Sequence, residues 1–180
     1  LDNVEIRIDN PDENGIGEVI AKGDNIMHGY YDNEEATAAV LRDGWFHTGD
    51  LGYIDKSGYL FLSGSKKNVI VLKNGKNVFP EELETEISTL PYQMENIVVG
   101  LPKNGDDRDL VVALKIVYDP EQFAGMSKEE IEKRIHEDVE KINDRMPLYK
   151  RIKRIFVTDE PMIKTSTSKV RRFLEIEKML

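Results

Sequence analysis

The sequence predicts an α+β protein: a small β-rich subdomain over residues 1–64, then an α+β domain over residues 68–180 whose central, mostly antiparallel sheet is flanked by helices. Three observations predict it. Up to Gly64, short apolar-alternating runs are separated by glycine and asparagine turns. From Asn68 onward, β-branched runs alternate with segments of helical spacing. Within that second part, residues 97–101 and 110–118 are strong strand candidates joined by a polar loop over 102–109, and they read as a central antiparallel pair.

Taken in order, residues 4–8 alternate apolar and charged side chains, and Asn10-Pro11-Asp12 with Asn14-Gly15 supplies a turn to a partner strand over 17–21. Asn33 is placed to cap a short helix through Leu41, with Glu34 and Glu35 in the first turn, where the helix dipole favours acids. Thr48-Gly49-Asp50 reads as a turn ending in an acid, followed by a short strand pair over 52–54 and 59–62. A subdomain of about 60 residues buries only about 60% of its chain surface and is marginal alone.

In the second part, residues 69–72 form a strand. Pro80 suits the first turn of a helix whose apolar positions are Leu83, Ile87 and Leu90. Ser127 and Glu130 make a capping-box signature ahead of the stripe Ile131, Ile135, Val139, Ile142 and Met146, and Pro147 ends that helix. Glu129 with Lys133, Glu130 with Arg134 and Glu137 with Lys141 stand four apart on its solvated face. A strand over 152–157 and a last helix over 170–180 complete the order.

Twenty-five basic against 34 acidic residues give a formal charge of −9, which argues against a nucleic-acid binder held by phosphate contacts. The absence of cysteine excludes a disulfide scaffold, a thiolate zinc site and a cysteine nucleophile. No metal-ligand spacing connects His28, His47 and His136, so no metal site is expected. No apolar run approaches the roughly 20 residues of a membrane helix and no signal-peptide pattern stands at the start. The cytoplasm is the default, with a peripheral membrane contact compatible. The opening on a strand pattern without an initiator Met suggests a piece of a longer chain.

Residues 44–84, GWFHTGDLGYIDKSGYLFLSGSKKNVIVLKNGKNVFPEELE, resemble the adenylate-forming, AMP-binding enzyme superfamily of acyl-CoA synthetases, luciferases and peptide-synthetase adenylation domains. TGD, a Gly-x-x-Lys hinge and a Lys-Asn-Gly loop stand in the family's order, and the last sixteen residues look most like long-chain fatty acid CoA ligases. The resemblance makes residues 1–64 the end of a large N-terminal domain, 65–67 a hinge and 68–180 a mobile C-terminal lid.

The site residues follow from it. Asp50, with Thr48, corresponds to the nucleotide-binding turn, where a carboxylate accepting two hydrogen bonds suits vicinal ribose hydroxyls of ATP or AMP; capping of its own turn is the plainer role. Lys169, in IKTSTSKVRR, corresponds to the family's catalytic lysine, a point charge that stabilises carboxylate and α-phosphate. By composition alone it is one exposed lysine among others. Ser168 replaces the usual glycine and Ile163 the common proline.

Lys67 corresponds to the hinge. Many relatives have arginine where Ser65 stands. Lys73, Asn74 and Gly75 form the loop that approaches CoA, and equally a plain hairpin turn. The run over 150–154 meets CoA phosphates or a carrier protein in one reading and guards an edge strand in the other. Fatty acid and CoA are the implied substrates. The phosphate loop, the acyl pocket and the Mg2+-binding glutamate lie in the N-terminal part, so residues 1–180 alone are expected to be inactive. The alternatives are an enzyme loading an aryl or amino acid onto a carrier protein and a non-catalytic nucleotide-binding relative.

Overall fold

The computed structural model describes residues 3–180 and divides into two compact units, 1–68 and 69–180. The first is built on one antiparallel sheet. β1 (Val4–Asp9) pairs with β2 (Gly17–Gly23), and β2 pairs with β4 (Trp45–Ile54). β4 also pairs with the short β3 (Leu41–Arg42) and with β5 (Leu60–Ser65). The helix α1 (Glu34–Val40) begins as the sequence predicts, with the Asn33 side chain accepting from the Ala36 N–H at 2.9 Å. It stops one residue early because Leu41 turns into β3.

Among the described residues of this unit, Val19 and Ile20 are its buried large apolar side chains. Tyr53, Phe61 and Leu62 on β4 and β5 remain exposed, the two rings stacked 5.1 Å apart.

The second unit opens with a two-stranded hairpin, β6 (Ile70–Val71) and β7 (Asn77–Val78), shorter than the predicted strand over 69–72. The helix α2 (Pro80–Ile87) follows. The three-stranded sheet has the order β10 (Arg154–Thr158), β9 (Asp106–Tyr118), β8 (Gln93–Lys103). β8 and β9 are antiparallel, as predicted, but the expected loop over 102–109 shrinks to Asn104-Gly105. Both residues have positive φ (51° and 78°), the type I′ geometry that matches strand twist. β10 runs parallel to β9, and the helix α3 (Lys128–Asn143) lies in the crossover between them.

Both halves of the Ser127–Glu130 capping box are formed. Arg134 and Lys141 turn to the buried Asp138 instead of to the predicted glutamates.

Strand alternation gives the sheet two apolar faces. Val98, Val112, Leu114 and Ile116 face α2 and α3 through Leu83, Ile87, Ile135 and Val139. Ile97, Val99, Leu101 and Ala113 face the last segment through Met162 and Met179. The final helix α4 (Arg172–Glu177) is shorter than predicted, because Val170 bridges Lys164 in a hairpin. Among the described residues no helix is long and apolar enough to cross a membrane.

Candidate functional site

In the first unit, the TGD segment is not a turn but a bulge inside β4. Pairing runs Ala21 to Phe46 and Ile20 to His47, then resumes at Glu18 to Leu51, so β4 carries two extra residues. Gly49 takes φ +75°, a conformation that costs an L-residue and not glycine. The freed backbone groups are satisfied locally. Thr48 Oγ1 donates to Val19 O at 2.7 Å and accepts from the Asp50 N–H at 3.0 Å, while the Gly49 N–H donates to Glu18 Oε1 at 3.1 Å.

Asp50, next along, is exposed, and among the described residues no hydrogen bond or ion pair engages its carboxylate. Ser65 stands opposite it in β5, with Oγ 3.4 Å from Gly49 O. Lys67 lies in the single 3-10 turn Lys66–Asn68 that closes the unit.

Glu18 received no role of its own from the sequence. It is 8% exposed, with its Oε2 3.1 Å from His47 Nδ1 and accepting from Lys66 Nζ at 2.9 Å. Burial pushes its pKa up, but the hydrogen bonds from Lys66, His47 and Gly49 and the charge of Lys66 outweigh that and hold it below the usual carboxylate value. Asp9, Glu18 and His47 bring ligand-type atoms within 4.8 Å of one another. The Lys66 ammonium on Glu18 opposes a dication there.

In the second unit, two features the sequence treats separately line one cavity of about 200 Å³. Leu72, Lys73 and Asn74 come from the β6–β7 hairpin, and Tyr149, Arg151 and Lys153 from the basic run. The hairpin closes with the Gly75 N–H donating to Leu72 O (2.8 Å) and the Leu72 N–H to Lys76 O (3.0 Å), with Gly75 at φ +78°. Lys76 stands 4.5 Å over the Tyr149 ring.

The buried Asn143 grips Ile152 on both sides of its peptide, donating to its carbonyl at 3.0 Å and accepting from its N–H at 2.8 Å. Arg151 and Lys153, flanking it, reach the cavity wall. Asp109 is the acid on that wall, 3.9 Å from Lys73 Nζ. The predicted strand over 152–157 starts later, at Arg154, so most of the basic run is a connection and not a sheet edge.

Lys169 closes a second hairpin of the same form. The Ser168 N–H donates to Thr165 O at 3.0 Å, the Thr165 N–H to Lys169 O at 2.8 Å, and Ser168 occupies φ +61°. The same closure recurs at Asp12 to Ile16 and Asp55 to Tyr59, with Gly15 (φ +79°) and Gly58 (φ +85°) in the left-handed position. Ser168 thus keeps the conformation that glycine has in the other three turns.

Carboxylates pin this hairpin. Glu95 accepts from the Met162 N–H (2.9 Å) and from Lys164 Nζ. Glu175, fully buried, accepts from the Ile163 N–H (2.8 Å) and Lys115 Nζ (2.5 Å). Beyond the hairpin, Arg172 Nη2 donates to both Glu84 oxygens, at 2.7 and 2.8 Å, and Nη1 to Val98 O at 3.0 Å. The Lys169 side chain is exposed, and no described residue accepts from its Nζ. Glu175 and Met179 share one buried stripe of the terminal segment, four apart. The signal was that spacing, which a hydrophobic pattern cannot show when one member is an acid.

The family model described as AMP-binding enzyme C-terminal domain matches residues 67–178. The long-chain-fatty-acid–CoA ligase FadD15 of Mycobacterium tuberculosis is 42% identical over 109 residues, 61% of this chain and 17% of its own length. The probable acyl-activating enzyme 9 of Arabidopsis thaliana is 36% identical over 88% of this chain and 28% of its own. The chain therefore spans less than a third of either relative.

Among solved structures, the O-succinylbenzoate coenzyme A synthetase MenE of Bacillus subtilis, in complex with ATP and magnesium ion, superposes with a TM-score of 0.75 at 28% identity. The likeness covers 96% of this chain and 34% of that one. The family match takes in the cavity, the pinned hairpin and all three strands of the second sheet, and the chain belongs to the AMP-binding enzyme C-terminal domain family.

Proposed function

We propose that the chain is the C-terminal part of an AMP-forming long-chain fatty acid CoA ligase. The intact enzyme would convert fatty acid, ATP and CoA to acyl-CoA, AMP and pyrophosphate through an acyl-adenylate. The observation that carries this reading is the Asp50 carboxylate, exposed and uncommitted on a bulge whose other polar groups are turned inward. Such a group suits the paired hydroxyls of ribose. The Thr48 hydroxyl gives its proton to Val19, so its part is to order the bulge beneath the nucleotide.

In the first step a carboxylate oxygen of the fatty acid bonds to the α-phosphorus of ATP and pyrophosphate leaves. Lys169, with its ammonium free of protein acceptors, stabilises the negative charge shared between the two groups. In the second step the CoA thiol, losing its proton, attacks the acyl carbon and AMP leaves. Torsion change at Lys67 would exchange the two arrangements of the lid.

The hairpin over 73–75 would then meet the pantetheine arm. The cations Lys73, Arg151 and Lys153 suit the phosphates of CoA, which favours free CoA over a carrier protein as acceptor. Tyr53, Phe61 and Leu62, exposed on a unit with little apolar core, support the first unit as the closing part of a larger domain. Magnesium and the acyl pocket belong to that larger domain in this reading, and residues 1–180 alone are inactive. A cytoplasmic setting, with fatty acid drawn from a membrane surface, fits this chemistry.

The test is fatty-acid-dependent AMP release by the intact ligase with MgATP and CoA, run beside Lys169→Ala. The expected result is a loss of about 10²- to 10³-fold in adenylate formation, with thioester formation from supplied acyl-adenylate retained. A folded parent that releases no AMP with a broad panel of acids would end the ligase reading.

A further inference from the structure

We propose that Glu18 is a positioning residue of the nucleotide site, setting the backbone that presents Asp50 and tethering the turn that closes the first unit. The proposal rests on the ribose role of Asp50.

A carboxylate that is 8% exposed on a small sheet is costly unless compensated. Glu18 has three donors, each from a different part of the site. The Gly49 N–H is the first, and its position explains the geometry. The two extra residues in β4 take this N–H out of register with β2, and Glu18 Oε1 supplies the acceptor that the ladder no longer provides. With Thr48 bonded to Val19 O, both residues before Asp50 are fixed from β2, and the backbone that carries Asp50 opposite Ser65 is set by them.

The second donor is Lys66, first residue of the 3-10 turn containing Lys67. Its side chain is 61% exposed, so it is anchored at its tip by a group that is itself nearly out of water. The third partner is His47, immediately before the bulge. Asp9 is the other charged group at this place, across the β1–β2 pair from Glu18, and Lys66 offsets the repulsion between the two acids. One carboxylate therefore joins the segment on each side of Asp50: the bulge before it and the turn after its strand partner Ser65. A residue whose only task was packing would need neither the charge nor three separate donors.

The experiment is a double-mutant cycle in the intact ligase, read as KM for MgATP and kcat in adenylate formation with fatty acid saturating. Glu18→Gln removes the charge and presents an amide N–H₂ to Lys66 and His47. It should raise KM for MgATP about tenfold, the scale of a small misplacement in a preorganised site, with melting temperature as the folding check. Asp50→Ala should raise the same KM. The combined variant should be no worse than Asp50→Ala alone, because Glu18 acts through Asp50.

Glu18→Asp keeps the charge but shortens the reach by one methylene. It is carried through the same cycle, so a failure of Glu18→Gln to fold leaves the cycle intact. Independent, multiplying effects of the two sites, or an unchanged KM in folded Glu18 variants, would overturn the proposal. An unchanged KM in Asp50→Ala would instead remove the ribose reading on which it stands.

Discussion

Replacing Glu175 by glutamine should destabilise the second unit by about 3 kcal/mol at neutral pH. Its carboxylate has no solvent exposure and accepts from Lys115 Nζ at 2.5 Å, the Ile163 N–H at 2.8 Å and Lys178 Nζ at 3.3 Å. Lys115 is itself only 12% exposed. Removing one partner of a buried pair costs about 3–5 kcal/mol, mostly because the other charge is stranded. Glutamine keeps an oxygen for the Ile163 N–H, which places the expected loss at the low end. Adding Lys115→Met to the Glu175→Gln variant should restore about 2 kcal/mol, since the stranded ammonium is then gone.

The sign with pH follows from the lowered pKa. Burial pushes it up, but the Ile163 N–H, Lys115 and Lys178 outweigh burial and hold it below the ordinary glutamate value. The stabilisation is then complete above the unfolded-state value and is lost as pH falls through the folded-state one. Urea denaturation followed by far-UV circular dichroism at pH 7 and at pH 3 measures both effects. Trp45, the sole tryptophan, lies in the first unit and serves as an internal control. A loss under 1 kcal/mol at pH 7, or an equal loss at both pH values, would refute the reasoning.

Two further expectations concern the hairpins and the cavity. Ser168→Gly removes an L-residue from φ +61°, where the left-handed conformation costs roughly 1–2 kcal/mol. Part of that gain goes to the added freedom of the unfolded chain, so the variant should be more stable by about 0.5–1 kcal/mol in the same denaturation. Arg151→Ala should raise KM for CoA about tenfold, the loss of one charge-assisted contact. Adenylate formation should be unchanged, as measured by comparing hydroxylamine-trapped adenylate with thioester output.

Much of the fold was legible because its signals are local. The Asn33 cap and the Ser127–Glu130 box involve residues three apart, and the strand over 110–118 announces itself by composition. What escaped depends on two segments at once. The TGD bulge is a mismatch of register between β2 and β4, and nothing within residues 48–50 distinguishes it from a turn.

The parallel pairing of β10 with β9 is likewise a property of two distant strands. The acids Glu18, Glu84, Glu95 and Glu175 have no role that the sequence assigns, yet each accepts from a backbone N–H. The proposed roles of Asp50 and Lys169 come from the resemblance. The groups that hold their backbones were not legible, because an acid in a buried stripe carries no mark in sequence.

The topology of the second sheet also sets an order of assembly. β8 and β9 meet through a two-residue turn, so their apposition closes almost no loop. β10 must wait for residues 119–153, α3 among them, to come round, and its partner Ala113 lies 41 positions from Arg154 (154 − 113). Closure entropy grows with that separation, and non-local contacts slow folding. On this topology the β8–β9 hairpin is expected to form first, with β10 docking after it, so amide hydrogen exchange should be faster in β10 than in β8 and β9.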